Sequence, residues 1–213
     1  VGDINFRYKD GKTIISERVM NYVPPMDEQS VNRRKKFGLT GKFAAAVNKL
    51  PAFKKMWDII TPDTISPYNG IFKANYVYIT PTDVTSMASL TPVMTGFDVT
   101  TTDVTVDETA VEVSIDPIGS NSEIDTMIEK YIQLGAVIKC TDPTTDGTKT
   151  IEFITMYSAN VVLNLSNPLS FSINLSNQKG NVYSLYDTHL TFMSFVTLTD
   201  TGMPVHYSNG FTA

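Results

Sequence analysis

The sequence predicts a mainly β protein, an antiparallel β-sandwich (immunoglobulin-like or similar) that follows a β-hairpin and a small N-terminal cluster of two to three helices. Three observations predict it. An Asp-Gly pair near the start is flanked by alternating apolar runs, a capped helical periodicity follows, and short Val-, Ile- and Thr-rich runs then recur between turn residues. We expect three regions: an arm at 1–23, a helical segment at 24–76 and the β-sandwich domain at 77–213.

The hairpin is predicted around Lys9-Asp10-Gly11-Lys12, because Asp-Gly between two alternating runs favours a tight β-turn. Pro24 and Pro25 then cannot continue a central strand, since proline lacks the amide donor and restrains the residue before it. The hairpin is therefore expected to be an arm on a linker. Its backbone edge is free to pair with another chain, and its candidate interface residues are Ile4, Phe6, Tyr8, Ile14 and Ile15.

Three helices are predicted in the segment that follows. Asp27 is placed to cap the first, Pro51 to open the second, and Ser66 with Pro67 to start the third. Gly38 and Gly41 indicate either a break in the first helix or the close approach of a neighbouring backbone, and the sequence leaves both open. The helical spacing of apolar residues predicts a core made of Phe43, Val47, Phe53, Trp57 and Ile60.

The rest of the chain is typical of short antiparallel strands, with turns at Asp146-Gly147 and Gly180-Asn181. Strands are predicted at 77–79, 97–106, 110–115, 136–141, 150–157, 160–166, 169–176, 182–186, 190–199 and 204–207. A capping-box pattern at 120–123, followed by an apolar stripe, predicts one inserted helix at about 121–134. The similar segments 163–167 and 173–177 are interpreted as adjacent strands.

Charge is distributed unevenly along the 213 residues. Residues 1–79 carry thirteen Lys and Arg against seven Asp and Glu, a net of +6, and residues 80–213 carry a net of −11. Solvated faces without a partner explain such a split, as does a head-to-tail assembly in which basic and acidic parts of identical copies meet. A third explanation is a basic segment that contacts nucleic acid, which the overall pI near 5.0 disfavours.

The densest basic run, Arg33, Arg34, Lys35 and Lys36, lies in the first half of the first predicted helix. Positive charge there opposes the helix dipole, which is a weak local cost. The run is the second candidate interface, for an acidic patch on another copy or for a polyanion, and a solvated helix face is the alternative.

The sequence lacks the residues that several functional classes of protein require. Cys140 is the one cysteine and His189 and His206 are the two histidines, so the chain can form neither an internal disulfide nor a Cys/His zinc site. No phosphate-binding glycine motif or nucleophile elbow is present, and either histidine would need a nucleophile brought to it by the fold. We therefore expect a non-enzyme without a cofactor. No segment is apolar enough to span a membrane, so we expect a soluble protein.

The first third of the chain contains four motifs in order: Gly2-Asp3-Ile4-x-Phe6-Arg7, Gly11-Lys12-Thr13-Ile14-Ile15, Gln29-x-x-x-Arg33-x-x-x-Phe37 and Tyr68-Asn69. Over residues 2–75 this order resembles a group of small uncharacterised proteins from Bacteroidetes and phages of that phylum. The Gln-to-Arg and Arg-to-Phe spacings are each one residue longer here than in the group. The resemblance implies an all-β remainder and makes a virion or cell-surface location more plausible, and it implies no activity.

These observations favour a structural subunit that self-assembles in many copies, as in a phage virion or an extracellular filament. Its expected partners are copies of itself and other virion or surface proteins. The alternative is a β-sandwich module that binds a carbohydrate or protein ligand. An enzyme that uses one histidine with a neighbouring carboxylate is the third possibility.

Overall fold

The computed structural model describes residues 4–9, 11–17, 23–92, 96–119 and 122–213. Within these ranges the strands, all paired antiparallel, are β1 (Ile4–Lys9), β2 (Lys12–Glu17), β3 (Thr101–Val106), β4 (Ala110–Ile115), β5 (Tyr131–Pro143), β6 (Ile151–Tyr157), β7 (Val161–Val162), β8 (Leu169–Asn174), β9 (Tyr186–Leu198), β10 (Pro204–Tyr207) and β11 (Phe211–Thr212). The helices are α1 (Glu28–Val47), α2 (Pro51–Ile60), α3 (Pro67–Asn75) and α4 (Asn177–Tyr183). The predicted mainly β class, with an N-terminal hairpin and helices, is confirmed.

The strands form three sheets. β1 and β2 make a two-stranded sheet of their own. The large sheet has the order β10-β9-β5-β6, with β7 also paired to β5 and β11 to β9, and the small sheet has the order β3-β4-β8. β5 and β9 are the longest strands and pair along most of their length, from Tyr131 opposite Leu198 to Pro143 opposite Tyr186.

Both faces of the large sheet are covered. Along β5, Ile132, Leu134 and Ala136 belong to the core shared with the small sheet, whereas Val137 belongs to the core shared with the helices. Because successive side chains of a strand point to opposite faces, β5 and β9 are buried on both sides. The small sheet covers one face and α1 and α2 cover the other, so the two sheets face each other as in a sandwich.

The helix starts are those that the sequence predicts. The side chain of Asp27 accepts a hydrogen bond from the backbone N–H of Ser30 at 2.9 Å, which caps α1. Pro51 is the first residue of α2, and Ser66 precedes Pro67 at the start of α3 as its cap.

The helical layer buries four of the five predicted core residues. Phe43, Val47, Phe53 and Trp57 are buried, and the Trp57 indole N–H donates to the carbonyl of Leu90 at 2.8 Å. The prediction for Ile60 is wrong. It is the last residue of α2 and remains 38% exposed, because its end of the helix extends past the sheet-facing stripe.

Phe53 seats α2 on the large sheet. A Cβ added to Gly135, in the middle of β5, would lie 2.3 Å from Cε2 and 2.5 Å from Cζ of the Phe53 ring. Only a residue without a side chain lets the ring lie directly on the strand backbone. Phe43 packs beside this contact, edge to face with Phe192 at a centroid distance of 5.2 Å.

The predicted helix at 121–134 is wrong. Residues 122–130 form bends and one turn, and β5 begins at Tyr131. Side chains bond the local backbone instead: Glu129 accepts from the N–H of Asp125, and Asp125 accepts from the N–H of Met127, both at 2.8 Å. Of the apolar residues counted as a helical stripe, Ile124 is buried before the turn, Met127 and Ile128 are exposed in it, and Tyr131 and Leu134 lie in β5. The predicted cap residues 120 and 121 lie outside the described residues.

Four strand predictions also need correction. The expected strand at 182–186 and its Gly180-Asn181 turn are replaced by α4, which Ser176 caps. Residues 76–78 form a 3-10 turn, and the strand at 160–166 shortens to β7 because the Asn164 side chain bonds the next turn. The strand at 97–106 is regular only in β3. Segments 163–167 and 173–177 are not adjacent strands, since β8 pairs with β4 and β7 with β5.

Gly135→Ala tests the seat of α2 directly. The added methyl overlaps the Phe53 ring and forces the helix or the ring to shift, so we expect the free energy of unfolding in urea to fall by about 1–3 kcal/mol. Gly38→Ala in α1 is the matched control. Its methyl meets nothing within 4 Å and raises helix propensity, so it should stabilise the protein by up to about 1 kcal/mol. Equal stability of Gly135→Ala and the wild type would contradict this packing.

Candidate functional site: an exposed hairpin and a basic helix

The hairpin of β1 and β2 has one apolar face that is open to solvent. Phe6 pairs with Ile15 and Tyr8 pairs with Thr13, and cross-strand partners share a face. Phe6 is 69% exposed, Tyr8 76% and Ile15 62%. Three of the predicted interface residues therefore form one exposed patch, which we call the hairpin patch.

The other two predicted hairpin residues do not join this patch. Ile14 pairs with Arg7 and so lies on the opposite face, where it is half-buried. That face also carries the exposed side chains of Arg7 and Lys12. Ile4 belongs to β1, and its side chain lies outside the part of the chain that the structure describes. The hairpin thus combines an apolar face with a basic one.

The hairpin stands apart from the two hydrophobic cores. Within the described residues, β1 and β2 pair with each other and with no strand of the other sheets. An exposed segment that contains Pro24 and Pro25 leads to α1, and Arg34 holds it by donating to the carbonyl of Pro25 at 2.7 Å. A two-stranded hairpin is marginally stable alone in water, so this one gains from any surface that covers its patch.

The basic run surrounds α1 instead of lying on one side of it. Arg33, Arg34 and Lys35 are exposed, whereas Lys36 is half-buried with its ammonium 4.4 Å from the centre of the Tyr76 ring. Arg33 donates to the hydroxyl of Ser30 at 3.1 Å. In the part of the chain that the structure describes, no hydrogen bond or ion pair joins these cations to the hairpin patch.

Acidic side chains lie on the outer face of the small sheet. Asp103 of β3 and Glu112 of β4 are both exposed, and their cross-strand partners there are Ser114 and Thr105. β3 is also an edge strand, because within the described residues it pairs with β4 alone. The edge of β3 therefore offers free backbone groups beside a negative face.

The two histidines have partners that the sequence did not indicate. The ring of His189 stacks on Tyr183 at a centroid distance of 3.6 Å, and its Nε2 lies 3.0 Å from the Tyr183 carbonyl. His206 Nδ1 lies 3.1 Å from Oε1 of Glu129, a carboxylate that is 1% exposed. Among the described residues, no hydroxyl or thiol side chain hydrogen-bonds to either imidazole, and no group of acidic, Cys and His side chains could hold a metal ion.

Comparisons with known proteins identify no relative. No family model matches the chain, and no curated protein matches it, so the resemblance to the Bacteroidetes group remains a prediction. Among solved structures, a catalytically inactive OgpA from Akkermansia muciniphila, solved in complex with an O-glycopeptide substrate, is similar at 12% identity and a TM-score of 0.24. The match covers 70% of this chain and 35% of OgpA, and so weak a likeness supports no inference about function.

In the described part of the chain, no helix has the length and apolar character that crossing a bilayer requires.

Cys140 lies in β5 within the core between the sheets and is fully buried. Burial, with a smaller contribution from the negative charge of Glu152, raises the pKa of its thiol to about 12. A thiol in this state is not a nucleophile at neutral pH.

We expect Cys140 to be silent towards a thiol reagent at pH 8 in the folded protein and to react fully in guanidinium. Because the unfolded thiol ionises near its ordinary pKa of about 8.5, the free energy of unfolding should also fall as the pH rises from there towards about 12. Cys140→Ala lacks that contribution and is the control for the pH dependence. Rapid labelling of the folded protein would contradict this burial.

Proposed function

We propose that this protein is a non-enzymatic structural subunit that self-assembles in many copies, with the hairpin of one copy docked on the small sheet of the next. The observation that carries the proposal is the hairpin patch: Phe6, Tyr8 and Ile15 are exposed on a hairpin that pairs with no other strand in the described residues. We further propose a phage virion or an extracellular filament as the setting, and the resemblance to the Bacteroidetes and phage group supports a virion or cell-surface role.

The hairpin patch supplies the driving force. Full burial of one large apolar side chain is worth about 1.5–3 kcal/mol relative to exposure. Two aromatic side chains and one isoleucine therefore contribute several kcal/mol towards a covered state, which offsets part of the cost of association and of ordering the hairpin. Aromatic side chains of this kind are the usual anchors of protein interfaces.

The edge of β3 is the docking surface that fits. β1 and β3 each have six residues, so one strand can continue the ladder of the small sheet along its whole length. The basic face of the hairpin, with Arg7 and Lys12, complements the acidic face that carries Asp103 and Glu112. Complementary charge selects this pairing and fixes its register more than it adds affinity.

This contact joins two different surfaces of the same molecule. A heterologous contact of that kind repeats from copy to copy, and it closes into a ring or grows into a filament according to its rotation. The separation of a +6 segment from a −11 segment along the sequence supports an arrangement in which the basic part of each copy meets the acidic part of its neighbour.

The double variant Phe6→Ser/Tyr8→Ser should abolish assembly, because it removes the apolar anchors and leaves the two cores untouched. Light scattering over a range of concentrations should give large particles for the wild type and the monomer mass of 23.6 kDa for the variant. The control, Val77→Ser/Met127→Ser, removes two side chains that are equally exposed but distant from the hairpin in sequence, at 70% and 80%. It should assemble like the wild type.

Charge is tested separately. Asp103→Asn/Glu112→Gln should weaken assembly at low salt, whereas Asp58→Asn/Asp63→Asn, which removes two exposed carboxylates from outside the small sheet, should not. A wild type that stays monomeric at every salt and protein concentration would refute the proposal and favour the ligand-binding module instead.

A further inference from the structure

The exposed side of α1 forms the floor of a groove. Two cavities adjoin over the turn from Arg34 to Gly38, one of about 640 Å³ that extends to Lys42 and one of about 370 Å³ that extends to Phe37 and Tyr76. Arg34 and Gly38 line both of them. We call the two cavities together the α1 groove.

The α1 groove is strongly basic. Arg33, Arg34, Lys35 and Lys42 line it, and no ion pair among the described residues involves any of these four. Asp142 on the far wall is the one carboxylate in the lining. Most of these cations lie in the first half of α1, where they oppose the helix dipole, so they gain nothing from the helix that carries them.

Among the described residues, none packs on Gly38. α1 continues unbroken through Gly38 and Gly41. The glycine at position 41 is explained by packing, because a Cβ there would lie 3.0 Å from the Tyr68 hydroxyl. A Cβ at Gly38 would meet nothing within 4 Å. A glycine inside a helix lowers its stability relative to alanine, and the open space over Gly38 leaves room for a ligand to approach the backbone.

Aromatic rings border the smaller cavity. Phe37 is 62% exposed and lies beside Arg33 and Arg34, and its ring centre is 4.8 Å from that of Phe72, which fixes its position. Tyr76 forms the opposite border. Proteins that bind single-stranded nucleic acid combine two kinds of contact: guanidinium groups bind the phosphates, and exposed aromatic rings stack on the bases. Arg33 and Arg34 beside Phe37 supply both kinds of group.

We propose that the α1 groove binds single-stranded nucleic acid, with phosphates on Arg33, Arg34, Lys35 and Lys42 and a base stacked on Phe37. The acidic face of a second copy fits less well. Its carboxylates stand on a sheet surface among short Ser and Thr side chains, whereas a narrow, flexible polyanion can enter a concave groove. This activity is separate from assembly through the hairpin patch.

The test is fluorescence anisotropy with a labelled single-stranded oligo-dT of about 20 nucleotides and the full chain. Four phosphate contacts predict a slope of about −3 for the logarithm of the binding constant against the logarithm of salt concentration. Arg34→Ser/Lys42→Ser should halve that slope and lower affinity roughly fiftyfold in about 50 mM salt. Lys54→Ser/Lys55→Ser removes the same charge from exposed positions on α2 and should leave the slope nearly unchanged.

Two further variants separate a nucleic-acid site from a general anion site. Phe37→Leu should lower affinity for the oligonucleotide about tenfold through lost stacking and leave affinity for inorganic polyphosphate unchanged. Gly38→Gln should fill the floor of the groove and weaken binding while the melting temperature stays equal or rises.

Phe6→Ser/Tyr8→Ser should bind the oligonucleotide as the wild type does, so failure of the assembly proposal leaves this one standing. The proposal is overturned if the oligonucleotide does not bind the wild type. It is also overturned if Arg34→Ser/Lys42→Ser and the control Lys54→Ser/Lys55→Ser lose affinity equally, or if Phe37→Leu binds the oligonucleotide as tightly as the wild type. Loss of self-association in Arg34→Ser/Lys42→Ser, without any change in oligonucleotide binding, would assign the groove to a second copy instead.

Discussion

The contact between the Phe53 ring and the backbone of Gly135 organises the molecule. It lets α2 lie directly on the middle of β5, and β5 is thereby buried on both faces, by the helices on one side and by the small sheet on the other. A sheet in that position needs largely apolar strands, and β5 and β9 bury mostly apolar side chains. The buried polar exceptions Gln133 and Lys139 are hydrogen-bonded. Neither of the two resulting cores includes a described side chain of the hairpin.

The same packing distributes charge and surface. The apolar faces of the helices pack on the large sheet, so the cations of α1 remain at the protein surface around the α1 groove. The inner face of the small sheet packs against β5 and β9, and its outer face exposes Asp103 and Glu112 to solvent. An uncovered apolar hairpin, a basic helix and an acidic sheet are thus three consequences of one arrangement, and two of them complement each other in copies of the same chain.

Short-range sequence signals correctly predicted the elements that are determined by interactions between neighbouring residues. The Asp-Gly turn, the Asp27 cap and the proline starts predicted the hairpin and three helices, and the alternating apolar runs predicted the two strands of the hairpin. The apolar spacing at 121–134 wrongly predicted a helix. Ile132 and Leu134 are instead buried in the core between the sheets as part of β5, and this packing overrides the helical periodicity of the sequence. The pairing of Glu129 with His206 joins residues 77 positions apart, and the α1 groove needs a wall from distant loops, so neither leaves a local signal.

Amide hydrogen exchange of the hairpin, followed against protein concentration, tests the central claim most directly. Exchange in β5 is the internal reference, because that strand is buried at any concentration. The account predicts that the amides of residues 4–17 exchange freely in dilute monomer and become protected as copies associate, while β5 stays protected throughout. Full protection of residues 4–17 in the dilute monomer would contradict it, since the hairpin would then be satisfied by its own chain.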